Sequence, residues 1–376
     1  MEKISAVAGP AQKTLATGLS AWYSVKNDER GLPMKNMHFK RKLPVPQQIK
    51  ERYPLTPALA AVKEDRDRQL REIFTGESDR MVLVVGPCSA DRDDAVLEYC
   101  TRLARLQEEV RDRLVLVPRV YTNKPRTTGE GYKGLLHQPD PEGAYDLLEG
   151  VIAIRRLHTN VLARTGLSTA DEMLYPADYR YLSDLLSYVA VGARSVENQE
   201  HRLTASGVDV PVGMKNPTSG DLSVMLNAIQ AAQGRHTFLY RGWEVETAGN
   251  PLAHAILRGY VNHHGEPIPN YHYEDLAHLC DAYAAKGLQN PALLVDANHS
   301  NSGKRFAEQP RICKGVLHSC RHSADIRALV KGFMIESYLQ PGCQKIGGGT
   351  YGKSITDPCL GWEDTERLVR EIAELI

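Results

Sequence analysis

Four side chains far apart in the sequence have the chemistry of metal ligands. They are Cys88 in Gly86-Pro87-Cys88-Ser89, His299 in Asp296-Ala297-Asn298-His299, Glu336 in Ile335-Glu336-Ser337 and Asp357 in Ile355-Thr356-Asp357. A thiolate, an imidazole and two carboxylates suit Mn2+, Fe2+, Co2+ or Zn2+ better than Mg2+ or Ca2+. The competing reading is structural, since a buried Cys mostly packs and a His or Glu after a strand mostly bonds to the scaffold. Spacing leaves both readings open. A second set is basic. Arg119, Lys124, Arg126 and Lys133 are close in sequence, and Arg194, Lys215 and Arg258 follow later apolar runs. Arginine forks pair two oxygens of a phosphate or carboxylate, and lysine adds a compact charge, so such a set points to an anionic substrate. A solvated charged face is the alternative for any single member. Lys124-Pro125-Arg126-Thr127-Thr128-Gly129 favours a ligand, because Pro stiffens the backbone and the hydroxyls add phosphate donors.

These residues need elements to carry them. From residue 81 onward eight short apolar or β-rich runs recur: 81–85, 114–121, 168–173, 188–192, 210–214, 237–240, 292–295 and 332–335. Helix-period segments fall between several of them, at 95–110, 144–162, 222–232, 273–286 and 311–320. Strands alternating with helices imply parallel pairing, and eight units predict an α/β fold, a closed (β/α)8 TIM barrel. An open doubly wound sheet is the runner-up. It would gather ligand groups near one switch point, whereas here Cys88, Arg119 with Lys124, Glu172, Arg194, Lys215, Arg258, His299 and Glu336 sit at or after every run. Ahead of the barrel, residues 1–54 hold five prolines and a basic run at Lys40-Arg41-Lys42, and Leu59, Val62, Leu70 and Ile73 fall near helical spacing. The expected division is an N-terminal arm and helix over 1–75, then a catalytic barrel over 76–376. The run Gly347-Gly348-Gly349 reads as a flexible loop.

The 46 basic and 46 acidic side chains cancel, so no global field favours nucleic acid or a membrane surface, and a positive site must be local. Seven cysteines, an odd number without C-x-x-C spacing, fit a reduced, cytoplasmic setting. Residues 1–19 lack the apolar core of a secretory signal, and no run approaches a membrane span.

In family order, from about Leu43 onward, the chain resembles type I 3-deoxy-D-arabino-heptulosonate 7-phosphate (DAHP) synthases. Beside the segments already quoted, the resemblance rests on Arg119-Val120-Tyr121, Gly192-Ala193-Arg194, Pro211-Val212-Gly213-Met214-Lys215-Asn216, Leu257-Arg258-Gly259, Tyr351-Gly352-Lys353-Ser354-Ile355-Thr356-Asp357 and Gly361-Trp362-Glu363-Asp364. It implies that Cys88, His299, Glu336 and Asp357 bind a divalent metal (Mn2+, Co2+, Fe2+ or Zn2+). It also implies that Arg119, Lys124, Arg194, Lys215 and Arg258 hold phosphoenolpyruvate with Glu172 nearby. Arg126 and Thr127 would grip the phosphate of erythrose 4-phosphate, with Lys124, Pro125 and Asp357 bordering the sugar. Cys88, Lys124 and His299 are the expected catalytic residues. Lys124 is expected to assist proton transfer, its pKa lowered by neighbouring arginines. A homodimer or homotetramer is expected. Two departures stand out: Tyr260 follows Gly259, with Pro269-Asn270-Tyr271 arriving late, and the stretch from Thr128 to Lys133 is long.

Three rivals remain: a 3-deoxy-octulosonate 8-phosphate synthase, a non-catalytic regulatory barrel, and a Schiff-base aldolase with Lys215 as nucleophile. Lys124-Pro125-Arg126-Thr127 argues against the first, which usually carries Lys-Ala-Asn-Arg there. Members of the resembled family can be inhibited by an aromatic amino acid. Phe238-Leu239 is similar to regulated members, whereas Asp209 puts an acid where they often carry a small polar residue, so weak or absent feedback is expected.

Overall fold

The computed structural model describes residues 35–376, and the chain divides into two compact units, 1–45 and Pro46–Ile376. Most of the expected arm, residues 1–34, lies outside the described residues; residues 35–45 contain no helix.

In the second unit, eight parallel strands form one sheet: β1 (Met81–Gly86), β2 (Leu114–Pro118), β3 (Thr169–Glu172), β4 (Leu186–Val191), β5 (Val212–Lys215), β6 (Ala253–Leu257), β7 (Leu293–Asp296) and β8 (Val330–Glu336). Each strand neighbours the next in sequence, and β8 lies beside β1. A parallel bridge between Arg119 and Ala170, with Val120 N donating to Ala170 O at 2.9 Å, links β2 to β3 and completes the ring. This is the predicted (β/α)8 barrel.

Side-chain parity separates its two cores. Val82, Val84, Val115, Val117, Tyr188, Ala190, Ile256, Leu294 and Met334 cluster inside the ring, while Leu83, Val85, Leu116, Val189, Val295 and Phe333 pack outward among the helices. Both faces are covered, which is why the strands read as continuous apolar runs. The helix Pro57–Thr75 begins at an N-cap, Thr56, whose side chain accepts from Leu59 N at 3.3 Å, with Pro57 in its first turn. Its Leu70, Ile73 and Phe74 join the inner cluster, so this helix plugs the end of the barrel where the strands begin.

One strand assignment is overturned. Residues 237–240 belong to an antiparallel hairpin, His236–Tyr240 with Trp243–Thr247, outside the barrel, and the sixth barrel strand is Ala253–Leu257. The run at 237–240 is β-rich but alternates in burial, as a one-sided hairpin does, and Arg241 and Gly242 turn it with φ of 52° and 80°. The true strand, Ala-His-Ala-Ile-Leu, is wholly buried but has one β-branched residue, so an apolar scan passes over it.

Candidate active site

Register carries distant residues to one rim, the end where the strands finish. Gly86 pairs with Glu336, and Val85 with Pro118, so Cys88, Arg119 and Glu336 converge. After β8 the chain forms a short parallel pair, Gln340–Cys343 with Lys353–Ser354, then delivers Asp357, whose Oδ2 lies 3.4 Å from Cys88 Sγ. One ligand atom from each of Cys88, Glu336 and Asp357 lies within 4.8 Å of the other two. His299 stands at the edge of this triad, its Nε2 3.9 Å from Glu336 Oε1. Its backbone is held at a φ of 47°, a conformation costing roughly 1 kcal/mol or more that the surrounding loop must impose.

The donors fit a divalent ion. A thiol and two carboxylates meet in a buried place, and the cation nearest them is Lys124, whose Nζ is 2.5 Å from Cys88 Sγ and 3.1 Å from Asp357 Oδ2. Burial, and next Glu336, push the Cys88 thiol up to about 12, with Lys124 opposing. A metal binding there would displace that proton. The expectation that arginines lower the Lys124 pKa fails. Burial does pull it down, but Cys88, Asp357 and Glu336 outweigh burial and hold the ammonium well above its usual range.

Beside the triad lies a cluster of cationic side chains. Arg119 is buried, donating to Glu336 Oε1 at 2.8 Å and to the carbonyls of Pro87 and Cys88 at 3.1 and 3.2 Å. The Tyr121 ring lies 3.8 Å from its guanidinium carbon, and its Nη1 is buried without a partner, a donor free for an acceptor. Lys215 Nζ lies 3.0 Å from Asp296 Oδ2, and His299 Nδ1 is 2.9 Å from the same oxygen. The second contact is an ion-pair approach without hydrogen-bond alignment. Burial would raise the Asp296 pKa, but His299 and Lys215 hold it well below the carboxylate range. Arg258 is lowered by burial and opposed by Asp296, with Arg194 adding repulsion and Glu172 relief. Two guanidiniums repelling one another, Arg258 half-buried and Arg194 exposed, favour an anion between them.

Several positioning groups are not found by reading the sequence. Arg258 N donates to Asn216 Oδ1 at 2.9 Å, Gly259 N to Asn270 Oδ1 at 2.7 Å, and Asn270 N to Asn301 Oδ1 at 2.9 Å. Gly259, at a φ of 71°, runs so close to Asn301 N that a Cβ would sit 2.6 Å away. The late Pro269-Asn270-Tyr271 thus still braces Arg258. The extra residues form a hairpin of Tyr260–Val261 with Pro267–Ile268, and the Tyr260 ring lies against Gly220. Gln309 brackets the Glu336 backbone, Asn298 Nδ2 donates to Glu336 Oε2 at 2.6 Å, and Lys304 Nζ reaches Asp357 Oδ1 at 3.2 Å. The available signal was buried-type Asn and Gln next to quoted motifs.

A model of the "DAHP synthetase I family" matches residues 52–370. The chain belongs to that family. It is 40% identical over 342 residues to the Trp-sensitive phospho-2-dehydro-3-deoxyheptonate aldolase of Escherichia coli K12, covering 89% of this chain and 95% of that one. It is 38% identical over 339 residues to the Haemophilus influenzae phospho-2-dehydro-3-deoxyheptonate aldolase, covering 88% and 91%. The solved structure of the Francisella tularensis SCHU S4 enzyme of that name superposes with a TM-score of 0.84 at 32% identity, covering 91% of this chain and 98% of that one.

Not all the family motifs converge in the fold. Arg126 turns onto its own loop, Nε donating to Tyr132 O at 2.8 Å, while Thr127 is exposed. The loop closes on itself through Lys124 N to Lys133 O at 3.0 Å, and Lys133 lies over the Tyr145 ring at 4.9 Å. Contrary to the expectation from the sequence that no G-x-x-x-x-G-K-[ST] pattern is present, the letters from Gly347 to Ser354 spell G-x-x-x-x-G-K-S. A nucleotide phosphate loop opens a helix at that Lys-Ser, whereas here Lys353–Ser354 is a strand, so the match lacks its structural context.

Proposed function

We propose that this protein condenses phosphoenolpyruvate with D-erythrose 4-phosphate to DAHP and phosphate, the first step of the shikimate route to aromatic amino acids. The observation that carries the reading is Arg119, buried with an unpartnered Nη1 beside the Cys88–Glu336–Asp357 triad. An anion site thus adjoins a candidate metal site, as a reaction between two phosphorylated substrates at an aldehyde requires.

Arg119, Arg194, Lys215 and Arg258, with Lys124, hold the carboxylate and phosphate of phosphoenolpyruvate, and Glu172 borders it. This charge offsets the repulsion between the two phosphorylated substrates. Lys124, Pro125 and Asp357 border the sugar, and Arg126 with Thr127 takes its phosphate once the 124–134 loop turns inward. Cys88, His299, Glu336 and Asp357 would hold a divalent ion, Mn2+, Co2+, Fe2+ or Zn2+, which would supply Lewis-acid polarisation of the aldehyde. Carbon 3 of phosphoenolpyruvate attacks that aldehyde, water adds at carbon 2, and phosphate leaves. Lys124, held as an ammonium, gives a proton to the new alkoxide.

The protein works as a homodimer or homotetramer in the cytoplasm, with residues 1–75 serving assembly or regulation. Among the described residues no helix is long and apolar enough to cross a membrane. The test is phosphate release with phosphoenolpyruvate and either erythrose 4-phosphate or arabinose 5-phosphate, with and without a chelator. Preference for the five-carbon sugar would overturn the substrate assignment, activity indifferent to the chelator would sink the metal, and absence of any product would favour a regulatory barrel.

A further inference from the structure

The helix Gln309–His322 packs on the barrel through Ile312, Cys313, Val316, Leu317 and Cys320 and leaves two histidines, His318 and His322, exposed on its outer face. They are four residues apart, hence neighbours one turn along the helix. Their ring centres are 4.4 Å apart and their planes are inclined at 44°. Two imidazole nitrogens, each ~2.0–2.1 Å from a shared ion and at about a right angle there, place ring centres roughly 4.5 Å apart. The rings therefore already hold the separation that chelation demands.

The tautomer is also set. His322 Nδ1 donates to the carbonyl oxygen of His318 at 2.8 Å, which keeps the proton on Nδ1 and leaves the Nε2 lone pair available. A backbone carbonyl taking the Nδ1 proton is the usual way a ligating histidine is oriented. The helix is held from outside as well, by Lys314 Nζ to Glu371 Oε2 at 2.9 Å and Arg321 Nη2 to Leu375 O at 3.0 Å. Gly315, one turn before His318, has nothing within 4 Å of its Cβ position, so that side of the pair is open to water.

We infer that His318 and His322 form a second metal site, on the outside of the barrel and separate from the Cys88–Glu336–Asp357 triad. It takes Cu2+, Ni2+ or Zn2+ through two imidazoles, with water completing the coordination shell. Two nitrogen ligands select these ions over Mg2+ and Ca2+, and Cu2+ binds most tightly.

The test is retention of the untagged full chain, loaded with Mn2+, which two imidazoles hold only weakly, on a Ni2+–nitrilotriacetate resin. The immobilised ion keeps two coordination positions open and cannot enter the buried triad, so it reads surface imidazoles alone. The wild type is expected to be held. His318→Gln and His322→Gln should each elute at several-fold lower imidazole with turnover unchanged. Replacing the adjacent surface pair by His263→Gln and His264→Gln, whose rings are 3.8 Å apart, should leave retention at the wild-type level. A wild type that flows through, a His318→Gln protein held as tightly as wild type, or a loss confined to the His263/His264 variant would each overturn the site.

Discussion

Arg119 and Glu336 meet at 2.8 Å with both side chains essentially buried, so each is the other's compensation. Removing one partner of such a pair costs about 3–5 kcal/mol, because a charge is left unpaired in a dry site. Glu336→Gln is therefore expected to lower the unfolding free energy by that order and to abolish turnover. Denaturant titration and phosphate release measure the two, and an unchanged midpoint would mean that Arg119 finds another anion. Lys124 supports a second prediction. Lys124→Arg keeps a cation near Cys88 and Asp357 but replaces a point donor by a broad planar fork that cannot aim one proton at the same place, so kcat should collapse while KM changes little. Near-normal turnover with weakened substrate binding would remove the proton-transfer role.

The ends of β1 and β2 are held together at Gly86, where an added Cβ would lie 2.5 Å from the Arg119 carbonyl oxygen. Gly86→Ala must push these strand ends apart, at about 1–3 kcal/mol, and with them move Cys88 and Arg119. The expected result is a folded barrel by circular dichroism with a large loss of kcat; full activity would show that the strand end yields without disturbing either residue. The hairpin His236–Thr247 concerns regulation. Its Phe238, Tyr240 and Val245 line a cleft of about 490 Å³ with Asp209 and Arg180. Asp209 adds a negative charge to this lining, which disfavours the carboxylate of a bound aromatic amino acid more than a neutral serine would, so phenylalanine, tyrosine and tryptophan should leave turnover unchanged, whereas Asp209→Ser should confer inhibition. Strong inhibition of the wild type by any of the three would refute this.

Stability of the whole barrel depends on the plug at its base. His254 of β6 is buried there against the Phe74 ring at 4.3 Å, with its two nitrogens on Tyr188 Oη and Leu252 O, each at 2.9 Å. Burial lowers its pKa to about 4, whereas in an unfolded chain it titrates at about 6.5. Between these values the unfolded chain takes a proton that the folded one refuses. The contribution is thus complete above pH 6.5 and is lost as pH falls toward 4, by up to about 3 kcal/mol. Unfolding midpoints measured across that window should fall with pH, and His254→Gln should flatten the slope. An unaltered slope would place the dependence on other groups.

The sequence by itself determined the alternation of strands and helices and which residue types could bear the chemistry. A strand buried on both faces must be a short apolar run, and in Gly86-Pro87-Cys88, Met214-Lys215 and Leu257-Arg258 the reactive residue follows within a step or two. Tertiary structure decided what depends on partners distant in the chain. Whether 237–240 or 253–257 enters the barrel is a matter of pairing, to which a five-residue pattern is blind, as the two runs show. Asp296 gains its role only where Lys215 and His299 reach it, and Asn270 only where the hairpin after Tyr260 folds back on Gly259. The charge on Lys124 turned on the same point. Its sequence neighbour Arg126 argued for an easily lost proton, but across space it faces the carboxylates of Asp357 and Glu336, and those anions prevail because Coulomb interactions follow distance and not sequence order.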